Sequence, residues 1–460
     1  MRFGFQAPAL ILLRTAIAAM SATAAFALSA NASAYTFKTV HSFCSLNNCK
    51  DGVGPGGLLL DQSGNLYGVA EEAGPHHGHG VIFELVQGKK FKILYGFCAH
   101  NDCSDGKQPF APLIEDTAGN LYGTTPSGGA HGLGVAFELS PNADRSVWTL
   151  QVLYNFCSQG GSGCTNGNGP SSGLTHAGAQ TGVAYDGVSP LYGITLVGGS
   201  ANKGTVFQLT PGQPGWFETV LYDFCSQGGA ACTDGALPRG GLLVDPAGNL
   251  FGTTNEGGAN HLSDGDSGAG TAFELISDGH IWTETVLYNF CAAANCKDGG
   301  APAAALIQDA SGNLYGTTSQ GGRACTNPAS VGATCGVIFK LVPNGTASQE
   351  TVLYRFCRRD DCGDGAFPAA SLLMDSSGNL FGTAYAGGGH DAEPDGMGGG
   401  VAFELSGSHL HVLHAFCAQG GSACTDGYEP LTNLVMDSSG NLFGTAFAGA
   451  GEGTVFKLTP

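Results

Sequence analysis

Gly241-Leu242-Leu243-Val244-Asp245-Pro246-Ala247-Gly248-Asn249-Leu250-Phe251-Gly252-Thr253-Thr254 is the stretch whose reading decides the fold of this chain. Two short apolar runs flank Asp-x-x-Gly-Asn, a tight turn that joins antiparallel neighbours. Two further strand-like runs follow, so the repeat carries four, at residues 241–245, 250–254, 271–275 and 283–290. The pattern then recurs on both sides. Gly-Asn-Leu-Tyr/Phe-Gly begins at Gly64, Gly119, Gly248, Gly312, Gly378 and Gly440, and persists in altered form as Ser189-Pro190-Leu191-Tyr192-Gly193. A strand of the Val-Ile-Phe-Glu-Leu type begins at Val81, Val135, Thr205, Thr271, Val337, Val401 and Thr454. A run ending in Phe-Cys reaches Cys44, Cys98, Cys157, Cys225, Cys291, Cys357 and Cys417. Every landmark occurs seven times, and the Phe-Cys cysteines recur with a period of 54 to 68 residues.

Four short antiparallel strands repeated in this way predict an all-β, seven-bladed β-propeller of four-stranded antiparallel blades. The strands of each blade are labelled A, innermost, to D, outermost. Residues 35–43 form a single D-type strand, and the chain ends on an A, B and C set at 431–436, 441–447 and 453–458. Neither end makes a blade, but together they make the seventh. The last blade is therefore predicted to be closed by the N-terminal strand, which pairs edges that would otherwise be bare. An open solenoid would need capping repeats, and the sequence shows none. Composition agrees: 76 glycines and 12% charged residues suit short strands and tight turns, while 42% hydrophobic residues exclude a disordered or collagen-like chain. Residues 35–460 are read as one domain.

Residues 1–34 read as a secretory signal peptide. Arg2 and Arg14 supply positive charge, residues 15–28 an Ala-rich apolar core, and Ala32-Ser33-Ala34 a small-x-small cleavage pattern. The expected compartment is outside the cytoplasm, in the periplasm or beyond the cell. Removing two arginines and no acids leaves 16 basic against 37 acidic residues, a net charge of −21. Such a surface repels nucleic acid and anionic lipid, and no second hydrophobic segment offers stable membrane insertion. Sixteen cysteines form eight close pairs: Cys44-Cys49, Cys98-Cys103, Cys157-Cys164, Cys225-Cys232, Cys291-Cys296, Cys325-Cys335, Cys357-Cys362 and Cys417-Cys424. In an exported chain these read as local disulfides; zinc sites would show two-residue spacing and paired histidines.

Gly-Asn-Leu-Tyr-Gly-Thr-Thr, Gly-Thr-Val-Phe-Lys-Leu-Thr-Pro and Glu-Thr-Val-Leu-Tyr-x-Phe-Cys closely resemble the GloVer (Gloeo–Verruco) tandem repeat of exported bacterial proteins, over essentially all of Tyr35–Pro460. The resemblance implies export, often with attachment to the cell envelope through C-terminal anchors, a tail this sequence does not show. It implies no established activity and no catalytic residues.

Function is expected on the face formed by the D-to-A and B-to-C connections. Those connections carry the cysteine pairs and Gly-rich loops of varied length, and variable loops on a rigid scaffold carry binding. Each cysteine pair is followed by Asp-Gly or Asn-Gly, at Asp51, Asp105, Asn166, Asp234, Asp298, Asp364 and Asp426. These could ring the channel mouth and hold a divalent cation such as calcium or a polyhydroxylated ligand; the competing structural reading is a turn after each disulfide. Asp61, Asp116, Asp245, Asp309, Asp375 and Asp437 are read as caps of their own A-to-B turns. His76, His77, His79, His131, His261 and His390 break the repeat and could bind metal or move protons, against a simpler reading as solvated loop residues. Asp264 and Asp266 fit a calcium loop poorly. Gly265-Asp266-Ser267-Gly268 has the form of a trypsin-like nucleophile motif without its surroundings and is read as coincidence. The recurring aromatics Tyr67, Tyr122, Phe251, Tyr315, Phe381 and Phe443 are read as packing. No cofactor is predicted. The expected function is a monomeric, non-catalytic binding or interaction scaffold for a glycan, surface polymer or protein. The alternative is a propeller hydrolase or lyase using a cation at the channel mouth.

Overall fold

The computed structural model describes residues 35–460 except positions 77, 101, 160, 214, 263–266, 326–333, 345–346, 390–396, 420 and 450. The signal-peptide reading, His77, His390, Asp264, Asp266 and Gly265 lie outside the described residues. Seven antiparallel sheets follow one another along the chain. The first contains Val53–Leu60, Leu66–Glu72, Val81–Val86 and Lys90–Gly96. The last joins Val435–Met436, Leu442–Ala446 and Thr454–Thr459 to the N-terminal strand Thr36–Ser42, with Thr36 opposite Thr459 and Ser42 opposite Thr454. The ring is closed as the sequence predicts.

What joins blade to blade is as repetitive as the blades. The Phe of each Phe-Cys pair is buried and packs edge-on against the strand-C Phe of the next blade, with ring centroids 4.9 to 5.5 Å apart. Phe43 on Phe83 is the member that links the last blade to the first. Each such pair adds about 1 kcal/mol to the burial of two rings. The glycine of Leu-Tyr/Phe-Gly lies under the strand-C ring: a Cβ on Gly252 would sit 2.6 Å from Phe273 Cζ, and one on Gly68 2.4 Å from Phe83 Cζ. A β-bulge between strands C and D adjoins this phenylalanine in all seven blades.

Hydrogen bonds repeat the link. The backbone N–H of the residue before each inner-strand proline donates to a carbonyl of the preceding blade, for example Leu237 to Lys203 at 2.8 Å and Ala301 to Ala269 at 2.8 Å. Gly54 donates to Glu452 at 3.1 Å and so spans the closure. The first threonine of Gly-Thr-Thr or Gly-Thr-Ala makes a second link. Thr124, Thr253, Thr317, Thr383 and Thr445 each donate through Oγ1 to an inner-strand carbonyl of the next blade, at Ser172, Ala304, Ala370, Thr432 and Gly56.

Two features depart from expectation. Strand A spans only two residues in the second, fifth, sixth and seventh blades, and in the fourth Leu243–Val244 stands where 241–245 was expected. The neighbouring threonine takes an inner carbonyl that a longer ladder would use, and proline supplies no N–H to that ladder. The third blade is a three-stranded sheet of Leu191–Thr195, Thr205–Pro211 and Trp216–Asp223, with strand A reduced to the bridge between Thr175 and Tyr192. Its Asp-x-x-Gly-Asn turn has been replaced by a longer connection.

Candidate functional site

All eight expected disulfides are present. The acid behind each ring disulfide faces inward: Asp51, Asp105, Asn166, Asp234, Asp298, Asp364 and Asp426 are all buried, none more than 4% exposed. Asp298 is typical. Its Oδ2 accepts from the Tyr288 hydroxyl at 2.7 Å and the Ala292 N–H at 2.7 Å, while Oδ1 accepts from the Ala293 N–H at 3.1 Å. Asp364 repeats this with Tyr354, Arg358 and Arg359. His414 and His41 replace the tyrosine, facing Asp426 at 2.9 Å and Asp51 at 3.2 Å. Burial holds the His41 pKa below its ordinary value, against the charge of Asp51. These side chains order the cysteine loops from within rather than presenting an open ring of carboxylates.

His76, His131 and His261 are exposed and His79 is half-buried; His76 and His79 share the first blade's B-to-C loop, while His131 and His261 stand on the second and fourth blades. Of the ligand clusters among the described residues, His79 with Cys98 and Cys103 is the one that includes a histidine, and both cysteines are in a disulfide. The A-to-B aspartates do cap their turns. Asp61 Oδ1 accepts from the N–H groups of Ser63 and Asn65, and its Oδ2 from the Asn65 amide.

The larger concavity lies on the opposite face, among these turns. Residues 175–189, the connection that replaces the third blade's turn, carry the short helix Ala179–Thr181 and lie against the second blade. The Thr117 N–H donates to the Tyr185 carbonyl at 3.0 Å, and the Tyr185 ring meets Tyr122 edge-on at 5.1 Å. Between this connection and the turns of blades one and two opens a cavity of about 670 Å³. Its polar lining includes Asp61, Gln62, Glu115, Asp116, Arg145 and His176. Arg145 Nη2 reaches Glu115 Oε1 at 3.3 Å and the Gly119 carbonyl at 3.2 Å, and the guanidinium lies over Trp148, 5.4 Å from its ring centroid. Burial raises the Glu115 carboxyl pKa, and Arg145 opposes the rise. Asp116 is committed: Oδ1 accepts from Ala118 and Asn120, and Oδ2 from the Asn120 amide and Tyr122 hydroxyl. This face also carries most of the exposed large apolar side chains. Val183 and Val188 belong to the connection, while Val147, Phe217, Ile276, Ile281 and Val342 stand at or near C-to-D hairpins.

A second cavity, about 310 Å³, follows the ring axis and is lined by the inner segments of all seven blades. Glycine, alanine and serine dominate it because seven chains converge there; a Cβ on Gly57 would stand 2.7 Å from Pro112 N. The sequence pointed to the channel mouth, but through Asp-Gly residues none of which lines the axial cavity, and it did not point to the turn-face cavity. Its one available signal was the degraded landmark at Ser189-Pro190.

A family model described as the Gloeobacter/Verrucomicrobia repeat matches residues 21–190, 175–324 and 261–460. No curated protein matches. Among solved structures, the chain is similar to a GH93 α-L-arabinofuranosidase of Fusarium graminearum in complex with arabinobiose, at 14% identity and a TM-score of 0.44, covering 76% of this chain and 93% of that one. It is similar also to a glucose dehydrogenase, at 12% identity and a TM-score of 0.41, covering 92% of this chain and 99% of that one.

Proposed function

The chain belongs to the Gloeobacter/Verrucomicrobia repeat family, and from that premise we propose that it is an exported, non-catalytic binding scaffold whose ligand sits in the turn-face cavity. The observation that carries the reading is that this cavity exists because one connection, residues 175–189, breaks the seven-fold pattern. Its volume lies within the range of small-molecule sites. The disulfide face, where function was expected, supports the reading less well, since its repeated acids are buried and bonded within their own loops.

The Glu115–Arg145 pair favours a neutral, hydroxyl-rich ligand such as a glycan unit. A diol can donate to the carboxylate and accept from the guanidinium, whereas an anion would meet Asp61 and Asp116 on the same walls. Catalysis by two carboxylates is less well supported. Glu115 is biased toward protonation, as a general acid would be, but Asp116 has both oxygens engaged in its turn and in Tyr122.

Glycan-array screening of the oxidised protein, followed by titration of any hit against Glu115→Gln and Arg145→Gln, tests the reading. Retained folding with at least about fivefold weaker binding in both variants is expected from loss of one charge-assisted hydrogen bond each. A ligand whose affinity ignores both changes, or turnover of a bound glycan, would overturn it.

A further inference from the structure

The axial channel differs from the turn-face cavity in charge. No carboxylate lines it among the described residues, although the chain carries 37 acidic side chains. Among the described residues its one charged lining side chain is Arg239, which is exposed and has no hydrogen bond or ion pair with them. Arg239 follows Pro238, the proline that packs against Gly204 of the preceding blade. Counterparts after the equivalent prolines are Gly56, Phe110, Ser171, Ala303, Ala369 and Leu431, so a single blade supplies the charge. Neutral donors share the channel. The Asn433 amide lines it, and so does Ser371, whose Oγ accepts from the Ala305 N–H at 3.0 Å and leaves its own O–H to donate.

We propose that the channel is an anion site for a small hydrophilic molecule bearing one carboxylate or phosphate group, with Arg239 as its charged partner and Ser371 and Asn433 as neutral donors. A planar guanidinium matches both oxyanions with two parallel hydrogen bonds. The chain's overall negative charge opposes approach from a distance, so the site selects ligands small enough to enter rather than acidic polymers. The volume, about 310 Å³, stands at the lower end for small-molecule sites and suits one sugar acid or sugar phosphate.

Calorimetric titration with glucuronate, inorganic phosphate and glucose tests the assignment on the oxidised protein. Saturable binding of glucuronate or phosphate that depends on Arg239 is expected, while any glucose binding should be indifferent to Arg239, and the two anions distinguish a carboxylate site from a phosphate site. Arg239→Gln should weaken the anion about tenfold or more with an unchanged Tm, because the side chain has no protein partner to lose. Arg239→Lys should keep part of the affinity, and Glu115→Gln should leave it intact. Equal anion binding by Arg239→Gln, glucose binding that falls with this substitution as much as anion binding does, or no saturable binding of either anion would overturn the proposal without touching the turn-face reading.

Discussion

Replacing Glu284 by leucine should stabilise this protein, by an amount that grows as pH rises from about 4.5 to about 8. On strand D, Phe91, Leu150, Leu410 and Phe37 stand opposite the strand-C residues Leu85, Leu139, Leu405 and Leu458. Three consecutive blades put a carboxyl group there instead: Glu218, Glu284 and Glu350, opposite Leu209, Leu275 and Leu341. Each has a buried Oε1 with no hydrogen-bond partner, as does Oδ1 of Asp234. Burial, and then the charge of Asp234, push the Glu284 pKa from 4.5 up to about 8; burial is likewise first in taking Glu218 and Glu350 up to about 7. Below pH 4.5 the Glu284 carboxyl is protonated in both folded and unfolded chains, and stability is at its fullest. Between 4.5 and about 8 the unfolded chain releases the proton and the folded chain keeps it, so stability falls as pH rises, then levels off. At about 1.4 kcal/mol per pH unit the full loss would be about 5 kcal/mol, and solvent around this partly exposed side chain reduces it to roughly 2 to 3 kcal/mol. Glu284→Leu removes that loss and keeps the shape found at Leu150 and Leu410. Urea midpoints of both proteins, taken at about pH 5 and about pH 8.5, should show a gap favouring the variant that widens by this amount. A gap of constant size would refute the argument, because general repulsion within an acidic chain acts on both proteins alike.

Three further outcomes follow from the blade contacts. Gly252→Ala should destabilise by roughly 1 to 3 kcal/mol in chemical denaturation, since its Cβ would lie 2.6 Å from Phe273 Cζ. Thr445→Val removes the bond to the Gly56 carbonyl but leaves a shape like Val69 and Ile194 at the equivalent position; it should lower stability by about 1 kcal/mol, and a change below a few tenths would deny the threonine a linking role. Replacing Cys98 and Cys103 together by alanine should lose about 2 kcal/mol by loop-closure entropy, read from the urea midpoint, with the other seven disulfides intact by mass spectrometry.

The number of blades and the disulfides were legible because each is written in residues close together in sequence, and the closure because the two ends carry complementary parts of one blade. Asp245 to Asn249 is five residues long and makes its turn alone, so the pattern announces it. The inner strands were misjudged because their backbone groups answer to another blade: Ala304 O accepts from Thr253, 51 residues away. The burial of Asp298 was equally hidden. Asp-Gly reads as an exposed turn until Tyr288, ten residues back on strand D, reaches over it. Glu115 gave no signal, being one of many acids, and it acquires meaning only when Arg145 comes within 3.3 Å of it from a hairpin 30 residues on.

The departures from seven-fold regularity are not spread evenly round the ring. The connection at 175–189 belongs to the third blade, Arg239 to the fourth, and the half-buried glutamates to the third, fourth and fifth. The exposed apolar residues of the turn face, from Val147 to Val342, stand on the second to fifth blades. A residue present in every blade meets the same neighbours each time, and Asp51 through Asp426 are bonded accordingly. An arc that departs from the rule therefore carries a requirement that blade packing does not impose. Glu218, Glu284 and Glu350 illustrate this, since leucine would pack as well and avoid a buried carboxyl at neutral pH. Ligand recognition on that arc supplies such a requirement. If it does, alanine substitutions that weaken binding without lowering Tm should fall on blades two to five, and an even spread over all seven blades would deny the arc its role.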